Sequence, residues 1–343
     1  KGSGRPTGGI SNTPGLWCRR HESDNPDNSG VTGMNILVTG AAGYIGSVLV
    51  PALLRRGHKV TALDNFMYHQ ASLLDCCNDK NLMVVRGDAR DKRLIVEHLK
   101  KAGVIFPLAC ITGVPACSRD ETAARTVIFD AVRMLLDLRG KDQIILYPTT
   151  NSGYGIGQKD IYCTEETSLN PISLYGRLKA DVEKMLLDAG NCVTFRLATA
   201  FGISPRMRLD LLVNDFTYRA VTDRFVVLFE ASFKRNYIHV RDVVKAFLHG
   251  LDNFNRMQGR AYNVGLDDAN LSKLELCQEI QKQVPEFYFV ESEIGEDPDK
   301  RDYIVSNARI AQTGYRPDIS LQEGIAELIK GYQIIRKNQY SNV

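Results

Sequence analysis

No apolar run in this 343-residue chain is longer than a strand, so nothing in it reads as a membrane-spanning helix. No Cys-x-x-Cys pair occurs, and the six histidines are not spaced with the eight cysteines as zinc ligands would be, which argues against a zinc site. Charges nearly cancel: 43 basic against 40 acidic residues leave a formal net charge of +3, too little to mark a nucleic-acid or membrane-surface binder. The cysteines (Cys18, Cys76, Cys77, Cys110, Cys117, Cys163, Cys192 and Cys277) include several in apolar contexts, and they read as reduced, buried thiols of a cytoplasmic protein. The single tryptophan, Trp17, falls in residues 1–33, a stretch rich in Gly, Ser, Pro and Asn that lacks the apolar core of a secretory signal. That stretch reads as a disordered leader or tag, with Met34 as the natural start.

What is present is 44% hydrophobic residues, ample for a large core or two lobes. Short β-branched runs at 35–39, 59–63, 82–85, 103–106, 143–147 and 192–196 alternate with helical periodicity near 44–56, 91–101, 120–138 and 174–189. Such alternation predicts an α/β fold, a Rossmann-type doubly wound parallel sheet with helices on both faces. After about residue 200 the rhythm breaks, then returns from Tyr237 to Gly265. The reading is therefore two discontinuous lobes. Residues 34–200 plus 237–265 form the first, and 201–236 plus 266–335 form a smaller α/β substrate lobe.

Within the first lobe, Thr39-Gly40-Ala41-Ala42-Gly43-Tyr44-Ile45-Gly46 joins an apolar strand to an apolar helix. Glycines at this spacing allow a tight turn, close approach to a pyrophosphate and close helix–strand packing, with the helix N-terminus facing the anion. The next strand ends at Asp64, whose carboxylate suits the adenosine ribose hydroxyls and repels a 2′-phosphate, favouring NAD. Asp88, Leu108 and Thr150 also fall at predicted strand ends, where ligands of such sheets bind. Downstream, Tyr175 and Lys179 are four residues apart and share one face of a predicted helix. An ammonium beside a phenol favours phenolate, so a Tyr175 pKa below the usual 10 is expected and Tyr175 becomes a candidate base.

The motifs TGAAGYIG (39–46), Asp64-Asn65, Gly87-Asp88, Pro107-Leu108-Ala109, TTNSGYG (149–155), YGRLK (175–179) and RNYIHVRD (235–242) together resemble the extended short-chain dehydrogenase/reductases of the nucleotide-sugar type, over residues 34–335. The resemblance implies NAD held by Gly40, Gly43, Tyr44, Ile45, Gly46, Asp64, Asn65, Asp88, Leu108, Ala109, Tyr175 and Lys179. It implies Tyr175 as the proton carrier, Lys179 on the nicotinamide ribose, and Thr150 on the reacting sugar oxygen. Pro107 departs from the family's His before Leu-Ala, and is expected to line the cofactor cleft by its backbone.

Dehydratases of this family place Asp-Glu or Ser-Glu just after the position of Thr150, and its 3,5-epimerases carry a cysteine at the position of Ser152. Here stand Asn151-Ser152, which favours simple oxidoreduction at one carbinol, C4, by a dehydrogenase or a 4-epimerase. Cys163, further on, is expected to be structural. The stretches 150–157, 195–220, 235–247 and 295–307 are similar to the subgroup that oxidises C4 of GDP-linked manno-heptose in bacterial capsule pathways, which implies a GDP-linked nucleotide sugar. Arg235 and Arg301 match the family's diphosphate contacts. Asn151, Ser152, Thr199, Arg206, Arg208 and Asn214 complete the substrate candidates, with Arg206 and Arg208 equally readable as a solvated loop face, Asn214 equally readable as a helix cap, His239 as a packed strand residue and Asp242 as a cap. The family's dimer helices correspond to 120–138 and 174–189. Apolar stripes at Val127, Ile128, Ala131, Met134 and Leu135, and at Leu178, Val182, Met185 and Leu186, fit a homodimer or the subunit's own core equally well.

Overall fold

The computed structural model describes residues 1–2, 33–292 and 301–335. The leader expectation, with Trp17 and Cys18, thus falls almost wholly outside the described residues, as does the stretch 295–300. The account below concerns the unit that begins at Gly33.

Fourteen strands run through the described residues: β1 (Asn35–Thr39), β2 (Lys59–Asp64), β3 (Leu82–Arg86), β4 (Val104–Pro107), β5 (Ile144–Thr150), β6 (Tyr162–Cys163), β7 (Cys192–Leu197), β8 (Thr199–Phe201), β9 (Phe225–Leu228), β10 (Lys234–His239), β11 (Arg260–Val264), β12 (Asn270–Ser272), β13 (Tyr288–Glu291) and β14 (Ile304–Val305). Seven form one sheet in the order β11-β7-β5-β4-β1-β2-β3, and every pairing in it is parallel. Alternate side chains of β1 serve opposite faces. Ile36 and Val38 join one buried cluster with Leu49 and Leu53, while Leu37 joins another with Ile95, Val182 and Leu186. Each such fully buried aliphatic side chain contributes about 1.5–3 kcal/mol. This is the doubly wound α/β architecture that the alternation predicts.

Strand order reverses between β1 and β4, which opens a crevice at their carboxyl ends. β4 stops at Pro107, whereas β5 continues to Thr150, three residues past the predicted end, by pairing Thr149 and Thr150 with Arg196 and Leu197 of β7. The predicted helix 120–138 is divided into Glu121–Arg125, a π turn Thr126–Asp130 and Ala131–Leu138, preceded by Val114–Arg119. The catalytic candidates share the helix Leu174–Ala189, capped by the Ser173 side chain accepting from the Gly176 amide.

A three-stranded sheet, β12-β10-β8, lies beside this body. Of residues 237–265, Arg260–Val264 completes an edge of the main sheet, while Tyr237–His239 pairs with Thr199–Phe201 of the small one. His239 is fully buried, and its Nδ1 accepts from the Arg241 amide, capping the helix Val240–Asp252. The sequence assigns that cap to Asp242. In the structure the Asp242 carboxylate instead accepts the amides of Asp318 and Ile319, a tertiary contact invisible to local pattern.

Both apolar stripes proposed for dimer helices are largely spent inside the subunit. Ile128 and Leu178 pack in one cluster, and Leu135, Val182 and Leu186 in another.

Candidate active site

The glycine turn is fixed by sterics. Gly40 has φ +66°, and a Cβ there would meet the Ala109 amide nitrogen at 2.6 Å. A Cβ on Gly46 would lie 2.4 Å from the Gly40 carbonyl oxygen. The Ala42 amide donates to Asp64 Oδ2 at 3.0 Å, so the turn and the end of β2 hold each other. The other carboxylate oxygen accepts from the Phe66 amide at 2.8 Å and from Gln70 Nε2 at 3.3 Å. Burial pushes the Asp64 pKa up, and these bonds, with the charge of Arg206, oppose it. Nearby, Asp88 is gripped by the Arg90 guanidinium at 2.9 and 2.6 Å, a bond that draws its pKa down. The Asn65 side chain accepts from the Met67 amide.

From this end a continuous cleft runs over the glycine turn, Leu108 and Ala109 to Thr150, Tyr175 and Lys179. All twelve cofactor candidates, Gly40, Gly43, Tyr44, Ile45, Gly46, Asp64, Asn65, Asp88, Leu108, Ala109, Tyr175 and Lys179, line it. Pro107 does not. It is buried in β4, paired with Thr39, so the expected backbone contribution comes from its two successors.

At the far end Lys179, only 4% exposed, donates to Tyr147 Oη and the Pro148 carbonyl, both at 2.9 Å, and its ammonium lies 4.3 Å from the Tyr147 ring centroid. It acts on Tyr175 through its field rather than through a bond. Burial raises the Tyr175 pKa above 10, and the Lys179 charge offsets only part of that rise. The expected depression is thereby corrected: taking the phenol out of water outweighs one nearby cation. Thr150 Oγ1 and Ser152 Oγ are 2.8 Å apart, and Arg301 donates to Ser152 Oγ.

The substrate candidates divide. Ser152, Thr199, Arg206, Arg208 and Arg301 line the cleft, but Asn151, Asn214 and Arg235 do not. Asn151 is buried with both amide atoms unpaired. Asn214 lies outside the cleft lining and is not the helix cap. It accepts from the Gly202 amide and donates to the Arg208 carbonyl, while the cap position of its helix is Leu211. Arg235 is buried, donates to the Lys234 carbonyl, and its guanidinium lies 5.8 Å from the Tyr303 ring centroid. Arg206 stands 4.5 Å from the Tyr68 ring centroid with its charge on Asp64, at the adenosine end rather than the reaction end.

Sequence reasoning missed Tyr147 and the buried network beneath β5. Arg196 donates to Glu183 at 2.6 and 2.9 Å, Thr149 donates to Glu183 at 2.9 Å, and Arg196 reaches Tyr154 Oη at 3.0 Å. Strand alternation placing Tyr147 and Thr149 on the face opposite Thr150 was the available signal. Cys163 is buried with Tyr154 and Tyr303, as a structural thiol would be.

A glycine turn lining the cleft, the Asp64 carboxylate beside it and a Tyr/Lys/Thr group beyond fit a dinucleotide and a sugar hydroxyl. The family model described as NAD dependent epimerase/dehydratase family matches residues 36–265, and the chain belongs to that family. It is therefore an enzyme of an NAD-dependent family, and its cofactor is NAD. The chain is 24% identical over 332 residues to UDP-glucuronate 4-epimerase 1 of Arabidopsis thaliana, covering 88% of this chain and 77% of the relative. It is 25% identical over 333 residues to the UDP-N-acetyl-alpha-D-glucosaminuronate decarboxylase of Bacillus cytotoxicus, covering 88% and 98%. In fold it is similar to the UDP-glucuronic acid 4-epimerase of Bacillus cereus, crystallised with UDP-glucuronic acid and NAD, with TM-score 0.78, 22% identity and coverage of 88% and 99%.

Proposed function

We propose that this enzyme carries out oxidoreduction at C4 of a nucleotide-activated sugar, with Tyr175 exchanging the hydroxyl proton. One observation carries the choice over elimination. Among the described residues, the carboxylates lining the cleft are Asp64 and Asp88, both at the end away from Tyr175. Expelling water from a sugar needs an acid and a base at the reacting carbons, and among the described residues the reaction end offers phenol, hydroxyl, thiol, ammonium and guanidinium groups but no carboxylate. Thr150 and Ser152 supply hydroxyls for the sugar oxygen, and Lys179 keeps positive charge beside the phenol. When bound, NAD supplies the hydride acceptor. Arg301 and Arg208 provide cations for a diphosphate at this end of the cleft.

GDP-linked manno-heptose, oxidised to its 4-ketone, is the first substrate to test, on the strength of the distal sequence stretches. The second reading, 4-epimerisation, is favoured by the 4-epimerases among the relatives. Mass spectrometry of GDP- and UDP-sugars incubated with the protein, with NADH absorbance followed in parallel, separates them. Loss of two mass units with NADH formed supports the dehydrogenase. An isomer of unchanged mass supports the epimerase, and loss of water defeats the C4 oxidoreduction reading.

We also propose that the segments 201–236 and 266–335 bind the sugar nucleotide, and that the protein is a cytoplasmic homodimer. The outer face of the helix Leu174–Ala189, with Asp181, Lys184 and Met185 beside Phe129, is the remaining surface for that contact. Sedimentation showing only monomer at micromolar concentration removes the dimer.

A further inference from the structure

The segment Gly202–Asp210 leaves the small sheet and runs back across the cleft. Its side chains alternate: Met207 and Leu209 are buried in the main core, while Arg206 and Arg208 line the cleft. It is fastened to the glycine turn by buried bonds. Tyr44 Oη donates to the Gly202 carbonyl at 2.8 Å, Ser204 Oγ donates to the Tyr44 carbonyl at 2.7 Å, and the Ser204 and Ser47 hydroxyls are 2.9 Å apart. Asn214, fully buried, ties down both ends by accepting from the Gly202 amide and donating to the Arg208 carbonyl, each at 2.9 Å.

The segment that carries the two arginines is thus tied to the glycine turn at Tyr44 and Ser47, with Arg206 toward Asp64 and Arg208 toward Tyr175. Arg206 reaches toward Tyr68 and Asp64. Arg208, paired with Asp210, lies against Gly113 and places its charge on Tyr175. The Arg208 charge is met by Asp210, while Arg206, whose charge reaches Asp64 from the cleft, is placed to meet a dianion seated at the helix N-terminus that follows the glycine turn.

We propose that Gly202–Asp210 is a strap over the cofactor, in which Arg206 above all binds the dinucleotide's pyrophosphate rather than the sugar nucleotide. The proposal rests on the cleft being the NAD site, and is independent of which sugar reaction follows. The test is fluorescence titration of NADH into the full chain with no sugar present, followed by titration of GDP and UDP into the NADH-saturated protein. Arg206→Ala should weaken NADH about ten- to a hundredfold, the worth of a charge-assisted contact, with GDP and UDP affinity kept within about twofold. Added salt should weaken NADH binding more steeply in the wild type than in the variant. Should Arg206→Ala fail to fold, Arg206→Gln and the wild-type salt series decide the same point. Unchanged NADH affinity in a folded variant, or a loss confined to GDP and UDP, overturns the strap. A wild type that binds no NADH overturns the cofactor reading itself.

Discussion

At the adenosine end of the cleft, most polar contacts are made between residues two apart: Asp64 with Phe66, Asn65 with Met67, Asp88 with Arg90. At the reaction end the contacts reach across the fold. Lys179 binds Tyr147, Arg301 binds Ser152, and Glu183 joins Thr149 to Arg196. The first end is built by short loops closing on themselves. The second exists only when β5, β7 and the helix Leu174–Ala189 have assembled. The cofactor end should therefore tolerate loss of single side chains, and the reaction end should not.

The sharpest way to separate them is Tyr175→Phe. Turnover should fall by about a hundredfold or more, as for loss of a general base, while NADH affinity by fluorescence stays near that of the wild type. A fall below tenfold would break the assignment of the reaction end. Next is Arg196→Met, which leaves Glu183 charged and unpaired in the core. Stability in urea should drop by about 3–5 kcal/mol, with activity lost alongside.

Lys179→Met tests the field at the phenol. The Tyr175 pKa is raised by burial and held back by Lys179, and the base form lies on the alkaline side. Oxidation rate rises with pH toward that pKa, so removing the ammonium should move the rise to higher pH by about one unit. A shift to lower pH would contradict the reading. The smallest effect on activity is expected from Asp64→Asn, which keeps the side chain's size but loses its charge and one of its two accepting oxygens. NADH should weaken by about tenfold or less, with a relative gain for NADPH, checked by paired titrations.

Much of this was legible in the sequence because it is local. The turn 39–46 carries its own steric reasons, and the i, i+4 spacing of Tyr175 and Lys179 places them on one helix face wherever that helix packs. The Lys179 partner was not legible, because Tyr147 belongs to another element and its role depends on how the helix sits on β5. The setting of Arg206 and Asn214 was not legible for the same reason: loop 202–210 is positioned by Tyr44 and Ser47, more than 150 residues earlier in the chain. The broken helix 121–138 reflects a π turn that hydrophobic periodicity does not encode.

The salt-linked knot of Glu183, Arg196 and Thr149 welds the proton carrier's helix to the strand that presents Thr150. Whatever breathing admits a sugar, these groups travel as one piece, so their mutual aim does not have to be rebuilt at each turnover.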